Sequence, residues 1–162
     1  MRIKGMNNIE VRQLDSSELY ACNLIIESAV LNWPLPERVK RLAVPVLKYD
    51  AIDLQYMKVF VATYAHEIVG VAAWDPSPIH ELPTGDGGLF HGLYVLPLAQ
   101  GQGIGVKLME AVFADARTSD SRGLLIKAQR ISQGYFEHHH FEALAANDSE
   151  YPWQYWKQLG KL

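Results

Sequence analysis

Three glycines at alternate positions, Gly101, Gly103 and Gly105, lie where an apolar segment gives way to a helical pattern. The start of a helix exposes backbone N–H groups that have no intrahelical acceptor, and it carries a partial positive charge. Because glycine has no Cβ, an anion can approach those N–H groups closely. The spacing therefore predicts a site for a phosphate or pyrophosphate that is built from backbone.

The elements on either side of this loop follow from their periodicity. Phe90 to Leu96 is short, apolar and aromatic, which is typical of a strand. Pro97 prevents that strand from running straight into the helix. Beyond the loop, apolar side chains share one face at helical spacing: Ile104, Leu108, Met109, Val112, Phe113 and Ala116. The sequence predicts a strand, a turn, the glycine loop and a helix, in that order.

Two common phosphate-binding motifs do not fit the loop. A P-loop would end in Gly-Lys-Ser/Thr, whereas Gly105 is followed by Val106 and Lys107. A Rossmann fingerprint would place its first glycine directly after the strand and its third at another spacing. Gln100-x-x-Gly103-x-Gly105 does match a Gln/Arg-x-x-Gly-x-Gly/Ala motif. With the preceding Leu-Tyr-Val-x-Pro, it resembles the GCN5-related N-acetyltransferases (GNAT superfamily).

In that superfamily the loop holds the pyrophosphate of acetyl-coenzyme A, so the resemblance implies acetyl-CoA as co-substrate and no metal. The implied cofactor contacts come from the strand, the loop, the start of the helix and one later position: Tyr94, Val95, Gln100, Gly101, Gln102, Gly103, Ile104, Gly105, Val106 and Phe136. The backbone around Tyr94 and Val95 would pair with the pantetheine arm. The Val95 amide could stabilise the thioester oxyanion.

The family's second block, roughly Asn-x-x-Ala-x-x-Phe-Tyr-x-x-x-Gly-Phe, is matched only in part. With Phe141 as its last residue, Gln129 takes the asparagine position and Phe136 takes the tyrosine position. In many members that tyrosine can protonate the departing thiolate, and phenylalanine has no proton to give. The adjacent Tyr135 is the candidate acid, but it points about 100° away on a helix. A tyrosine at the edge of the core is the alternative.

His91 is the candidate general base, because an imidazole titrates close to neutral pH. Strict alternation places it on the same face as Leu93 and Val95, and the bulge that the family usually has in this strand would change that parity. An ordinary partly buried histidine is the alternative. A water relayed by Glu81 or Asp86 is another candidate base.

The segment Asn32 to Pro36 separates the first two predicted helices. In the superfamily this connection often lines the acceptor site, so the resemblance makes Trp33 and Leu35 candidate substrate contacts. The acceptor would be a small-molecule or peptide amine, and the sequence does not distinguish a peptide N-terminus, a lysine, a polyamine, an amino acid or a drug. Three basic residues follow: Arg38, Lys40 and Arg41. They predict either a contact with an acidic ligand or a solvated helix face.

Composition excludes several classes of protein. A formal charge of −3 argues against general binding of nucleic acid or of an anionic membrane, and no apolar run approaches the roughly 20 residues of a membrane helix. The first ten residues lack the apolar core of a signal peptide.

The lone Cys22, which lies on an apolar stripe, cannot form an intrachain disulfide, so we expect a cytoplasmic protein. The run His138 to His140 diverges around a helix and predicts no metal site. Dimers are common in the family, which makes a homodimer compatible with the resemblance.

The predicted element order is β-α-α-β-β-β-α-β-α-β-β, the order of the acyl-CoA N-acyltransferase fold. We expect one α/β (α+β) domain over residues 1–162, with a mixed central sheet of six to seven strands and about four helices. The implied activity is direct transfer of an acetyl group to a primary amine in a ternary complex. A non-catalytic acyl-CoA-binding module and a dinucleotide-dependent enzyme are the alternatives.

Overall fold

The computed structural model describes residues 5, 7–77, 87–128, 132–144 and 154–160. These residues contain seven strands and five α-helices, in this order: β1 (Glu10–Gln13), α1 (Leu19–Leu31), α2 (Glu37–Leu47), α3 (Asp53–Tyr56), β2 (Lys58–Tyr64), β3 (Glu67–Asp75), β4 (Gly87–Val95), α4 (Ile104–Thr118), β5 (Gly123–Lys127), α5 (Gln133–His138), β6 (Glu142–Leu144) and β7 (Gln154–Gln158). Among the described residues, no helix is both long and apolar enough to cross a membrane.

The strands form one mixed sheet in the order β1-β2-β3-β4-β5-β7-β6. β4 and β5 are parallel, with Gly87 opposite Gly123, whereas β1–β2, β5–β7 and β6–β7 are antiparallel. A mixed sheet of six to seven strands with about four helices was expected, and this prediction is confirmed. The element order also agrees with the prediction, except that the short helix α3 was not expected.

A capping box starts the first helical segment, where the sequence places Asp15 three residues before Glu18. The Asp15 carboxylate accepts a hydrogen bond from the Ser17 N–H at 2.9 Å, and the Glu18 carboxylate accepts one from the Asp15 N–H at 3.0 Å. Glu18 also binds the Arg12 guanidinium at 2.7 Å, and these hydrogen bonds lower the pKa of Glu18 to about 2. A 3-10 turn over Ser16–Glu18 then leads into α1.

The described chain forms two compact units. The first unit comprises Met1–Ala73 and Gly92–Val112. Its core contains Cys22 from α1, which is fully buried, as its place on an apolar stripe predicts for a small core residue. A Cβ placed on Gly70 of β3 would lie 2.9 Å from atoms of both Ile104 and Leu108. Because Gly70 has no side chain, α4 can approach the sheet closely.

The second unit comprises Trp74–His91 and Phe113–Leu162. Trp74 is fully buried, and its indole N–H donates to the Asp115 carboxylate at 2.8 Å. The proline, glycine and acidic residues from Asp75 to Gly88 predict a loop. This prediction is wrong at both ends, because β3 includes Asp75 and β4 begins at Gly87. A Cβ on Gly88 would lie 2.8 Å from the Trp74 ring. The glycine that suggested a loop thus belongs to a strand that the tryptophan approaches closely.

Candidate active site

The glycine loop connects β4 to α4 within the first unit. The Leu96 N–H donates to the Val69 carbonyl at 2.8 Å, and a 3-10 turn over Pro97–Ala99 follows. Gly101 and Gly103 have φ values of 80° and 76°, in the left-handed region that favours glycine. A Cβ on Gly103 would meet no atom within 4 Å. The loop is therefore open above the glycine, as an anion site requires.

Helix α4 begins directly after the loop, at Ile104. The Lys107 N–H donates to the Gly103 carbonyl at 3.2 Å, which is the first turn of the helix. The N–H groups of the three residues before Lys107 precede that bond and have no intrahelical acceptor. The first turn of α4 contains no acidic residue, so no carboxylate of that turn neutralises the positive end of the helix. The backbone here can bind an anion.

The predicted cofactor residues of the loop differ in what they expose. Gln100, Gly101, Gly103 and Val106 are exposed, whereas Gln102 and Gly105 are half-buried. The side chain of Ile104 is buried against the sheet, which leaves only its backbone for a ligand. The chemistry of this loop is therefore that of backbone amides.

Tyr94 and Val95 end β4 in the same unit. Tyr94 is 5% exposed, and its side chain packs in the core that also contains Tyr49 and Cys22. Burial raises the pKa of the Tyr94 phenol above its usual value, so the hydroxyl stays protonated at neutral pH. Val95 is half-buried. A ligand that runs along this strand would meet the backbone of Tyr94 rather than its side chain.

The connection between α1 and α2 carries Trp33 and Leu35, which are both half-buried. The Trp33 N–H donates to the Val30 carbonyl at 3.0 Å, and the Leu35 N–H donates to the Trp33 carbonyl at 2.8 Å. The indole of Trp33 lies 6.5 Å from the Tyr94 ring, centroid to centroid, with 19° between the planes. Trp33 therefore occupies a fixed place beside β4.

His91 belongs to the second unit. It is exposed, whereas its neighbours Phe90 and Gly92 on β4 are buried. The alternative of a partly buried histidine is therefore wrong. The imidazole is accessible to a substrate or to water. The candidate bases Glu81 and Asp86 lie outside the described residues, and so does Gln129.

Tyr135 and Phe136 are adjacent on α5, and their rings meet edge to face with centroids 5.4 Å apart. Phe136 is 4% exposed, and its ring meets Phe141 with centroids 5.2 Å apart. Tyr135 is 37% exposed and packs on the His139 ring, with centroids 4.5 Å apart. Desolvation raises the pKa of Tyr135, so its phenol carries a proton at neutral pH. Tyr135 does not take the place of Phe136, and Phe136 offers little surface to a ligand.

The run His138 to His140 was not expected to bind a metal. Among the described residues, no group of three or more His, Cys, Asp or Glu side chains could hold a metal ion. Burial lowers the pKa of His139, with the neighbouring charges of His138 and His140 acting in the same direction.

The profile of the acetyltransferase (GNAT) domain matches residues 55–143, which include β4, the glycine loop, α4 and α5. The chain belongs to the GNAT acetyltransferase domain family. It is thus an enzyme of the acetyltransferase class, as the glycine motif predicted. No curated protein matches it in sequence.

Solved structures resemble this GNAT chain over nearly its whole length. The PaiA N-acetyltransferase of Thermoplasma acidophilum, in complex with coenzyme A, has a TM-score of 0.78 at 11% identity, and the match covers 94% of this chain and 99% of that one. A GNAT family acetyltransferase of Brucella melitensis, in complex with acetyl-CoA, has a TM-score of 0.69 at 19% identity, covering 94% and 89%. yncA of Salmonella typhimurium, with its cofactor acetyl-CoA, has a TM-score of 0.65 at 19% identity, covering 96% of each chain. At these identities, the similarity establishes a common fold.

Sequence reasoning missed one contact between α1 and α2. The solvated helix face predicted for Arg38, Lys40 and Arg41 is wrong for Lys40, which is buried, whereas Arg38 and Arg41 are exposed. The side chain of Lys40 is 10% exposed, bonds to Glu37 at 2.7 Å and donates to the Leu31 carbonyl at 2.9 Å. The sequence around Lys40 gives no signal of this hydrogen bond, because its acceptor, Leu31, lies in the preceding helix.

Proposed function

We propose that this chain transfers the acetyl group of acetyl-CoA to a primary amine by direct attack in a ternary complex. The observation that carries the proposal is the open glycine loop at the start of α4, with left-handed Gly101 and Gly103. Its spacing is the family's cofactor motif, and its amides suit a pyrophosphate. Relatives of the same fold were solved with acetyl-CoA or coenzyme A.

The residues fit this co-substrate in three places. The amides from Gly101 to Val106 would bind the pyrophosphate. The backbone of Tyr94 and Val95 at the end of β4 would pair with the pantetheine arm, and the Val95 amide would stabilise the oxyanion. Acetyl-CoA supplies an acetyl group that is already activated as a thioester. The protein would supply proximity and orientation, which account for much of the acceleration in such transfers.

Two side chains are proposed for proton transfer. His91 is exposed on β4, so its imidazole could accept the proton that the amine must lose. Tyr135 is accessible and keeps its phenolic proton at neutral pH, which suits an acid toward the leaving thiolate. Phe136 has no such proton, and its cofactor contact stays a prediction. A reducing cytoplasm, a single domain and a homodimer also stay predictions.

Isothermal titration calorimetry of the purified protein with acetyl-CoA tests the proposal, with NAD and ATP as controls. We expect micromolar binding of acetyl-CoA and no heat from the controls. Binding of acetyl-CoA without turnover of any amine would instead support the non-catalytic acyl-CoA-binding module. Absence of acetyl-CoA binding would overturn the proposal and leave the glycine loop as a structural feature.

A further inference from the structure

The indole of Trp33 stacks beside the ring of Tyr94. It lies nearly parallel to the buried ring of Tyr94, with 6.5 Å between centroids. Trp33 packs in part on the core of the first unit, and the rest of the indole is open to solvent. Tyr94 thus supports the indole from within, and a ligand can reach what remains exposed.

Hydrogen bonds and two prolines order the segment that carries the indole. The Trp33 N–H donates to the Val30 carbonyl of α1, and the Leu35 N–H donates to the Trp33 carbonyl within the segment. Lys40 donates from α2 to the Leu31 carbonyl. Pro34 and Pro36 restrict the backbone further, because proline fixes φ. A surface that is already ordered loses little entropy when a ligand packs on it. This arrangement favours recognition by apolar contact.

The charges on either side of the segment are unsuited to a polycation. The acidic residue of α1, Glu27, bonds to Lys48 at 2.7 Å, and the acidic residue of α2, Glu37, bonds to Lys40 at 2.7 Å. Helix α2 carries three basic residues against that one acidic residue. A second ammonium group on the acceptor would therefore meet a surplus of positive charge.

The two helices that the segment joins also expose large apolar side chains. Leu31 at the end of α1 is 39% exposed, and Val39 on α2 is 47% exposed. Together with the half-buried indole between these helices in the chain, they favour a ligand with an apolar body. One ammonium group can still be attracted here, since an aromatic face binds a cation without a carboxylate.

We propose that the acceptor is a primary monoamine whose apolar, preferentially aromatic, group packs on Trp33. This inference rests on the proposed acetyl transfer and specifies its substrate class. Polyamines and lysine-rich peptides should be poor acceptors, because the exposed Arg38 and Arg41 of α2 would repel their additional positive charges.

Three amines at a fixed acetyl-CoA concentration test the inference, with coenzyme A release as the readout. Phenethylamine carries a ring, propylamine lacks it, and spermidine carries several charges. We expect kcat/KM for phenethylamine to exceed that for propylamine by about tenfold or more, as burial of a phenyl group predicts. Spermidine should be the poorest of the three. Preference for spermidine or equal rates for the two monoamines would each overturn the inference. Turnover of no amine by protein that binds acetyl-CoA would overturn the proposed transfer itself.

Variants of Trp33 test whether the indole itself selects the amine. Trp33→Ala should abolish the preference for phenethylamine over propylamine and leave the affinity for acetyl-CoA unchanged. Trp33→Leu keeps apolar volume and should lose most of the same preference. Tyr20→Ala is the matched control, because Tyr20 is an aromatic residue on α1 that is 77% exposed and lies outside the segment. A preference that survives in both Trp33 variants would overturn the inference.

Binding of phenethylamine alone gives a second readout, which needs no turnover. Saturation-transfer NMR should show contact of its ring protons with the wild type and a strong loss of that contact in Trp33→Leu. Equal contact in both proteins would contradict the inference. Loss of acetyl-CoA binding in calorimetry would overturn the proposed function instead, so the two failures are distinguishable.

Discussion

The Lys40 ammonium donates a hydrogen bond to the backbone carbonyl of Leu31 at 2.9 Å, and it thereby ties α2 to the C-terminal end of α1. The carbonyls at the end of a helix carry partial negative charge and lack intrahelical donors, so a cation suits this place. The ion pair with Glu37, 2.7 Å long, provides a second partner for the largely buried ammonium. The segment that carries Trp33 lies between Leu31 and Lys40 in the sequence, so this contact holds its two ends together.

We expect Lys40→Met to lower the free energy of unfolding by about 1–3 kcal/mol, because the Leu31 carbonyl loses a charged donor. Urea denaturation measures the change. Arg41→Met is the matched control, since Arg41 is an exposed basic residue on the same helix and should change stability by less than about 0.5 kcal/mol. A Lys40→Met protein as stable as the Arg41→Met protein would show that the contact contributes nothing.

Gly103→Val should weaken acetyl-CoA binding without unfolding the protein. A Cβ at this position meets no atom, but its φ of 76° is strained for a branched residue, at a cost of about 1–3 kcal/mol. The new side chain would stand where the pyrophosphate is proposed to bind. Calorimetry should show an affinity for acetyl-CoA that is weaker by about tenfold or more.

Gly5→Val is the control for that variant. Gly5 has a φ of 73° and open space around its Cβ position, so the backbone strain is comparable. It lies outside the loop, and its substitution should leave acetyl-CoA affinity at the wild-type value. Equal affinities in the two variants would mean that the glycine loop does not bind the cofactor.

Periodicity and spacing predicted most of the fold because the elements around the glycine loop are long and strongly patterned. The pattern of residues 58–64 predicts a strand, and β2 has the same bounds. The helical face predicted from Ile104 to Ala116 lies within α4. Helix α3, Asp53–Tyr56, was missed because four residues are too few to show a helical period. The start of β4 was missed because two glycines in succession favour a loop in the sequence.

The features of the candidate site that depend on local sequence could be predicted. The exposure of its side chains could not, because exposure depends on packing. The glycine spacing indicates an anion site regardless of the rest of the chain. By contrast, alternation could not decide whether His91 is exposed, and adjacency could not decide between Tyr135 and Phe136. Those outcomes depend on neighbours such as Phe141, which is five residues beyond Phe136 and packs on its ring.

His91→Gln should reduce kcat/KM at neutral pH by about 10²–10⁴, which is the usual contribution of a general base. The variant should also lose the corresponding limb of the pH–rate profile. His66→Gln is the control, because His66 is an exposed histidine in the turn between β2 and β3. A full pH profile in His91→Gln would remove His91 from the reaction.

Tyr135→Phe removes the proposed acidic proton with little change in packing, because the ring is retained against His139. We expect kcat to fall by about tenfold or more, with an unchanged affinity for acetyl-CoA. The proposed acid protonates the departing thiolate, and a more acidic thiol needs this protonation less. The effect on kcat should therefore be smaller with an acetyl thioester of a more acidic thiol. An unchanged kcat would assign no acid role to this tyrosine.

The buried thiol of Cys22 should make the protein less stable in alkali. Burial raises its pKa from 9.0 to about 12, and the negative charge of Glu18 acts in the same direction. Between these values the unfolded thiol ionises and the folded one does not, so unfolding releases a proton. The free energy of unfolding should therefore fall as pH rises above about 9, by at most about 1.4 kcal/mol per pH unit.

Urea denaturation of the wild type and of Cys22→Ala between pH 8 and pH 10 isolates this effect, because the buried phenols of Tyr49 and Tyr94 are present in both proteins. The alanine protein is expected to be less stable at pH 8, since it leaves a small cavity. The difference between the two proteins should shrink as pH rises, since only the wild type loses the contribution of a protonated thiol. A thiol reagent should react with the wild type only on unfolding. A difference in stability that stays constant with pH would show that the thiol titrates alike in both states.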